Sequence, residues 1–245
     1  MLTKSADSAF RLDGKLALVT GAGRGIGRAI ALAYAAAGAS VVCSARNDRE
    51  ITETAAMIKE AGGQAISCPA DVGNYDDVVA LFQRAQDAFG GVDIVVGNAG
   101  VASDLRRIED SDPALWRKAI DINLTGAYHT AHAAIPHLKK RGCGKIIMVG
   151  SGQRNRPLPG LSAYSCSKSG LWMLTQSLAM ELLEYNITVN ELIPGPVKTA
   201  MTRDVPMPPG EWVKEPEDVV PLALFLATMP DGGPTAQSYS LMRRA

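Results

Sequence analysis

Apolar residues in this chain fall into short unbroken runs, separated by stretches where apolar positions recur at helical spacing. The runs Lys15 to Thr20, Ser40 to Ala45, Gln64 to Pro69, Val92 to Val96, Lys145 to Val149 and Ile187 to Leu192 predict strands. Their near-continuous apolar character is that of strands covered on both faces. A last short strand is expected over Gln237 to Leu241. Helices are expected over Arg28 to Ala37, Arg49 to Ala61, Asp76 to Phe89, Pro113 to Ile122, Thr125 to Leu138, Ala163 to Leu183 and Glu217 to Thr228. Most of the prolines follow Asn190, so Pro194 to Pro216 should be irregular. Strand and helix alternate with short connections, which predicts an α/β fold: a doubly wound, Rossmann-type parallel sheet with helices on both faces. No linker or repeat interrupts the pattern, so residues 13–245 read as a single domain after a loose leader, residues 1–12. Ligands of such a sheet lie beyond the carboxyl ends of its strands.

Composition narrows the class without naming a chemistry. The 245 residues hold 25 basic and 25 acidic side chains, a formal net charge of zero. The dense basic runs, Lys139-Lys140-Arg141 and Arg243-Arg244, read as a solvated helix end and a solvated tail, so no nucleic-acid partner is expected. No stretch of eighteen apolar residues exists and no membrane span is expected. Cys43, Cys68, Cys143 and Cys166 lack metal or disulfide spacing, which fits a reducing, cytoplasmic setting. His129, His132 and His137 share one predicted helix without a carboxylate to complete a metal motif. They read as packing or interface residues, and no metal is expected.

Two places carry chemistry. Gly21-Ala-Gly-Arg-Gly-Ile-Gly27 lies between the first strand and the first helix. Glycines there let backbone approach a pyrophosphate, which the helix N-terminus stabilises. An acid commonly ends the second strand of an NAD site and holds the ribose hydroxyls. Here that position is Ala45, followed by Arg46, with Arg24 inside the glycine turn. Two guanidiniums suit a 2′-phosphate, so the expected cofactor is NADP(H). The second place runs from Ser151 to Lys168. Tyr164 and Lys168 are four residues apart on the predicted helix, on one face. The cation is expected to lower the tyrosine pKa, and Ser151, at a strand end, can reach the same point. That is a site for acid–base work on a carbonyl or alcohol.

Taken in order, these residues resemble the short-chain dehydrogenase/reductase superfamily, in its single-domain branch similar to 3-oxoacyl-carrier-protein reductases. Thr20 to Gly27, including Gly21, Arg24, Gly25 and Ile26, resembles the cofactor turn. Asp71-Val72 resembles the adenine-contacting pair, though Asp71 is also placed to cap a turn. Asn98-Ala99-Gly100 resembles the end of the Asn-Asn-Ala-Gly motif, and Tyr164-Ser-Cys-Ser-Lys168 the signature. Pro194-Gly195-Pro-Val197-Lys-Thr199 resembles the segment packing on the nicotinamide, where Thr199 could contact the amide or cap a helix. Two departures stand out: Gly97 replaces the first Asn of that motif, and Gly150 replaces a common Ser. The segment Thr199 to Glu215 is short and holds Pro206, Pro208 and Pro209, which leaves the substrate open.

The resemblance implies roles. Tyr164 protonates the carbonyl oxygen as hydride arrives, Lys168 tunes it and binds the nicotinamide ribose, and Ser151 holds the substrate oxygen. Asn123, in Asp121-Ile-Asn-Leu-Thr-Gly126, matches the catalytic asparagine that holds a water, although it could merely cap or kink a helix. Gln153 is placed toward the substrate, and Arg154 and Arg156 are read as exposed loop charges. A homotetramer or homodimer is implied, through the helix after Asn123 and the helix carrying Tyr164. The expected activity is hydride transfer between NADP(H) and a small-molecule carbonyl or alcohol, for example a 3-oxoacyl thioester or another ketone. Alternatives are an NAD-dependent polyol or hydroxysteroid dehydrogenase, which Ala45 disfavours, and a non-catalytic nucleotide-binding redox sensor, which the surviving Asn123, Ser151, Tyr164 and Lys168 disfavour.

Overall fold

Apolar strands covered on both faces can only be the middle layer of a three-layer structure. The computed structural model describes residues 10–102, 104–203, 205, 210 and 212–243. The strands are β1 (Leu16–Thr20), β2 (Ser40–Ala45), β3 (Gln64–Pro69), β4 (Ile94–Gly97), β5 (Gly144–Val149), β6 (Ile187–Ile193) and β7 (Ser238–Ser240). They form one parallel sheet in the order β3-β2-β1-β4-β5-β6-β7. The helices are α1 (Gly25–Ala36), α2 (Asp48–Glu60), α3 (Tyr75–Phe89), α4 (Pro113–Ile120), α5 (Gly126–Arg141), α6 (Ser162–Glu181) and α7 (Val220–Thr228).

Alternation along each strand divides the core in two. Ala17 and Val19 of β1 pack with Ile30 and Tyr34 of α1, Ile51 of α2 and Leu226 of α7. Leu16 and Leu18 face the other way, onto Leu81 and Phe82 of α3, Leu138 of α5 and Leu178 of α6. Burial at roughly 25 cal/mol per Å² of apolar surface is the main force holding the layers. Helix starts are fixed locally. Asn47, Asn74 and Asp112 each accept a backbone N–H of the helix they precede, and Pro113 occupies the first turn of α4.

β1 pairs with β2 on one side and β4 on the other. The chain therefore winds outward in both directions from β1 and β4, and the crevice between their carboxyl ends is where a ligand fits. Two sequence expectations are revised. The helices expected over Pro113 to Ile122 and Thr125 to Leu138 are joined into one rod by a π-helical turn, Asp121–Thr125. Leu12 is 3 % exposed, packs in the first core and bonds Ala37 O through its N–H, so the fold begins within the expected leader. Residues 1–9 of that leader, Pro206, Pro208, Pro209 and Arg244 lie outside the described residues.

Candidate active site

The glycine turn leaves β1 and enters α1 at the crevice. Gly21 has φ +67°, a left-handed conformation that disfavours side chains. A Cβ on Gly27 would overlap the carbonyl oxygen of Gly21, so the helix can approach the turn this closely only through glycine. Arg24 precedes α1 without a side-chain cap, which leaves the first N–H groups of a twelve-residue helix facing the crevice. Thr20 fastens the turn to β4. Its hydroxyl donates to Val96 O (3.2 Å) and accepts from the N–H groups of Asn98 and Ala99, both at 3.1 Å. Asn98 Nδ2 donates back to Thr20 O at 2.9 Å. Asn98 is thus a clamp on the turn, and sequence reasoning had not singled out Thr20 as its partner.

The crevice is a cleft of about 900 Å³. All the residues expected at the cofactor line it: the glycine turn, Arg46, Asp71-Val72, Asn98 to Gly100, Tyr164, Lys168, Pro194-Gly195, Val197 and Thr199. Ser151 lines it too, whereas Asn123 and Gln153 do not. Glu50, which sequence reasoning passed over, lines it beside Arg24, 3.9 Å from that guanidinium. Arg46 Nη1 stands 3.9 Å from Asp71 Oδ2, and both side chains are substantially exposed. Asp71 also caps its own turn by accepting Gly73 N–H at 2.9 Å. A glycine cradle, an uncapped helix N-terminus and two arginines make a chemically suitable bed for a dinucleotide's phosphates.

At the opposite end of the cleft the catalytic candidates meet. Ser151 lies two residues beyond the end of β5, and the hydroxyl of Tyr164, the third residue of α6, is hydrogen-bonded to it. Lys168 is 4 % exposed and donates to Val149 O at 2.7 Å; its Nζ lies 5.7 Å from the Tyr164 ring centre. Burial pushes the Tyr164 phenol above its ordinary value, and the Ser151 hydrogen bond only partly opposes this. This corrects the expectation of a lowered tyrosine: the ammonium is held on Val149 O, and desolvation of the phenolate prevails. Burial pushes Lys168 down to about 8, with Glu191 acting in the opposite direction.

Asn123 is 1 % exposed in the middle of the π-helical turn. Its Oδ1 accepts Val101 N–H (2.8 Å), and its Nδ2 donates to Val101 O (3.0 Å) and Ser167 Oγ (3.1 Å). It ties the chain after β4 to α6 next to Lys168. A π-turn widens a helix locally and commonly marks functional positions. Gln153 Oε1 accepts Leu158 N–H at 3.0 Å, shaping the loop between Ser151 and Tyr164. Arg156 is exposed as expected, but Arg154 is not. Its side chain is 16 % exposed, with Nε 3.5 Å from Glu191 Oε2 and the guanidinium over the Trp172 ring at 5.1 Å. The attracting carboxylate comes from β6, which no local pattern could reveal.

At both glycine departures another side chain occupies the space of a Cβ. A Cβ on Gly97 would lie 2.6 Å from Met148 Sδ. A Cβ on Gly150 would overlap Glu191 Oε1. Glu191 was unremarked in the sequence, where its signal is an acid inside an otherwise apolar strand.

The short chain dehydrogenase family pattern matches residues 15–208. The chain belongs to the short-chain dehydrogenase/reductase family. It is 39 % identical over 237 residues to 3beta-hydroxysteroid dehydrogenase 1 of Eggerthella lenta, covering 89 % of this chain and 88 % of the relative. It is 37 % identical over 228 residues to a 3-oxoacyl-[acyl-carrier-protein] reductase of Synechocystis sp., covering 89 % of this chain and 91 % of the relative. The crystal structure of a gluconate 5-dehydrogenase from Burkholderia cenocepacia, in complex with NADP and tartrate, superposes with a TM-score of 0.90 at 30 % identity. That match covers 97 % of each chain. This short-chain dehydrogenase is therefore an oxidoreductase of a family that binds nicotinamide cofactors. Among the described residues no helix is long and apolar enough to cross a membrane, and no group of three His, Cys, Asp or Glu is placed to hold a metal.

Proposed function

We propose that the enzyme is an NADP(H)-dependent carbonyl reductase or alcohol dehydrogenase acting on a small molecule. The observation that carries this reading is one cleft with the Ser151–Tyr164 pair at one end and Arg24 and Arg46 at the other. When bound, the nicotinamide supplies or takes up the hydride. Tyr164 gives its hydroxyl proton to the substrate oxygen as the carbonyl carbon gains hydride, and its raised pKa keeps that proton in place at neutral pH. Ser151 donates to the same oxygen and stabilises charge developing there. Lys168 holds the cofactor ribose and returns a proton to Tyr164. The side chain of Asn123 is committed to Val101 and Ser167. It braces α6 under Lys168, and the expected water link to solvent falls to the backbone of its π-helical turn.

The NADP preference rests on Ala45, Arg46 and Arg24. Charge pairs at 3.9 Å between groups that are exposed or partly exposed are weak, so a dianionic 2′-phosphate can draw both arginines from their carboxylates. The chain from Leu12 onward acts as one domain, and the protein works in the cytoplasm, where its free cysteines stay reduced. It assembles as a homodimer or homotetramer. Tyr128 on α5 is 47 % exposed and Met173 and Met180 on α6 are 53 % and 69 % exposed, apolar area that a partner copy would cover.

A panel of ketones, 3-oxoacyl thioesters, sugars and hydroxysteroids, run with NADPH and NADH, tests the activity. Turnover is expected with wild type, and Tyr164→Phe should lose at least about 99 % of it, the low end of a general acid's contribution. Cofactor binding should persist in that variant. Wild-type rates in Tyr164→Phe would remove Tyr164 from the chemistry.

A further inference from the structure

Glu191 is the most unusual group near the site. It stands in β6 with its side chain 0 % exposed. Its Oε2 accepts a hydrogen bond from Ser238 Oγ on β7 at 2.6 Å and lies 3.5 Å from Arg154 Nε. Its Oε1 has no hydrogen-bond partner among the described residues and is pressed against Gly150, where even a methyl group would overlap it. An acid buried this way is unfavourable unless cations compensate it. Two cations face it from separate elements: Arg154 from the turn after Ser151, and Lys168 from α6. Lys168 donates to Val149 O, the carbonyl just before Gly150, so ammonium and carboxylate approach the same bend of backbone. Gly150 is the residue between that carbonyl and Ser151.

We propose that Glu191 is a positioning residue: from behind Gly150 it holds the proton on Lys168 and anchors, through Arg154, the turn that follows Ser151. The coupling is mutual. Burial pushes the Glu191 carboxyl above its ordinary value, and the Ser238 hydroxyl, Arg154 and Lys168 oppose this by favouring the ionised form; the carboxylate in turn favours the protonated lysine against burial. Gly150 is the matching feature, since any side chain there would displace the acid. The inference rests on the assignment of Lys168 to catalysis but concerns a residue outside the catalytic set.

The test is a nuclear magnetic resonance titration of the full-length protein labelled with 13C at lysine Cε, with Lys168→Arg to assign the signal. Removing the charge in Glu191→Gln should lower the Lys168 midpoint by about one pH unit, the low end of the effect of a neighbouring opposite charge. Glu191→Asp, which keeps the charge, should restore most of it. The alkaline limb of kcat should move down with the midpoint, while KM for substrate changes less. A Lys168 midpoint equal in wild type and Glu191→Gln overturns the proposal and leaves Glu191 as packing. If Glu191→Gln does not fold, Gly150→Ala/Glu191→Ala fills the vacated space and must show the same fall. The titration needs no substrate. A shifted midpoint in a protein that turns over nothing in the panel would sink the substrate class and keep the coupling. An unmoved midpoint in an active enzyme would do the reverse.

Discussion

Arg46→Ala separates the two cofactors most sharply. In the structure Arg46 is half-exposed, and its nearest carboxylate, Asp71, is 3.9 Å away. An exposed pair of this kind contributes about 0–1 kcal/mol. A charge-assisted hydrogen bond to a 2′-phosphate contributes about 1.5–3 kcal/mol. Exchanging one for the other leaves about 0.5–3 kcal/mol in favour of NADPH. The substitution should therefore weaken NADPH by roughly two- to a hundredfold, because each 1.4 kcal/mol or so is a factor of ten. NADH has no phosphate there and should change by less than about twofold, a few tenths of a kcal/mol. Asp71 sharpens the contrast: once Arg46 is gone, its charge faces the phosphate unopposed. Asp71→Asn in the Arg46→Ala background should accordingly recover part of the NADPH affinity. The assay is calorimetric titration of both cofactors into wild type and variants, at two salt concentrations, because an exposed contact weakens as the screening length shrinks. Preference of the wild type for NADH, or equal losses for both cofactors, would show that Arg46 is only a surface charge.

Other expectations follow from the same geometry. Gly27→Ala drives a methyl group into Gly21 O, so the variant should lose cofactor binding by at least about tenfold, an energy of only 1.4 kcal/mol or so, while circular dichroism shows intact helices. Unchanged affinity would mean the turn relaxes. Burial pushes Lys168 down to about 8, so ketone reduction should fall as pH rises through that value, because the neutral amine can no longer return a proton to Tyr164. The sign is fixed by the lowered lysine value: below it the charged form persists, above it the charge is gone. A rate rising through pH 8 would assign the limb to another group. Light scattering at micromolar concentration should give a dimer or tetramer, and Met180→Lys on the exposed side of α6 should shift it toward monomer.

Much of the architecture was legible in the chain. The strands β2 and β3 have the boundaries their apolar runs predict, and the other strands differ by one or two residues at one end or, for β4 and β7, at both. Periodicity and caps are local properties, so they can be read one segment at a time. The glycine turn, Tyr164 and Lys168 were legible for the same reason: each motif spans a single turn of backbone.

What the tertiary structure decided is everything that joins distant segments. Thr20 meets Asn98 because β1 and β4 are neighbours in the sheet. Asn123 reaches Val101 and Ser167 only through the π-helical turn that fuses two expected helices. Arg154 looked like a loop charge until Glu191 of β6 lay beside it, and Gly150 looked like a lapse from a family pattern until the same carboxylate filled the space. The Tyr164 shift reversed sign for a related reason. Spacing on a helix tells how near two side chains can come, but desolvation depends on what every other element packs around them. The sequence by itself determined the layers, the cleft and the candidate catalytic groups; the depth at which those groups lie, and the buried acid behind them, are properties of the packed whole.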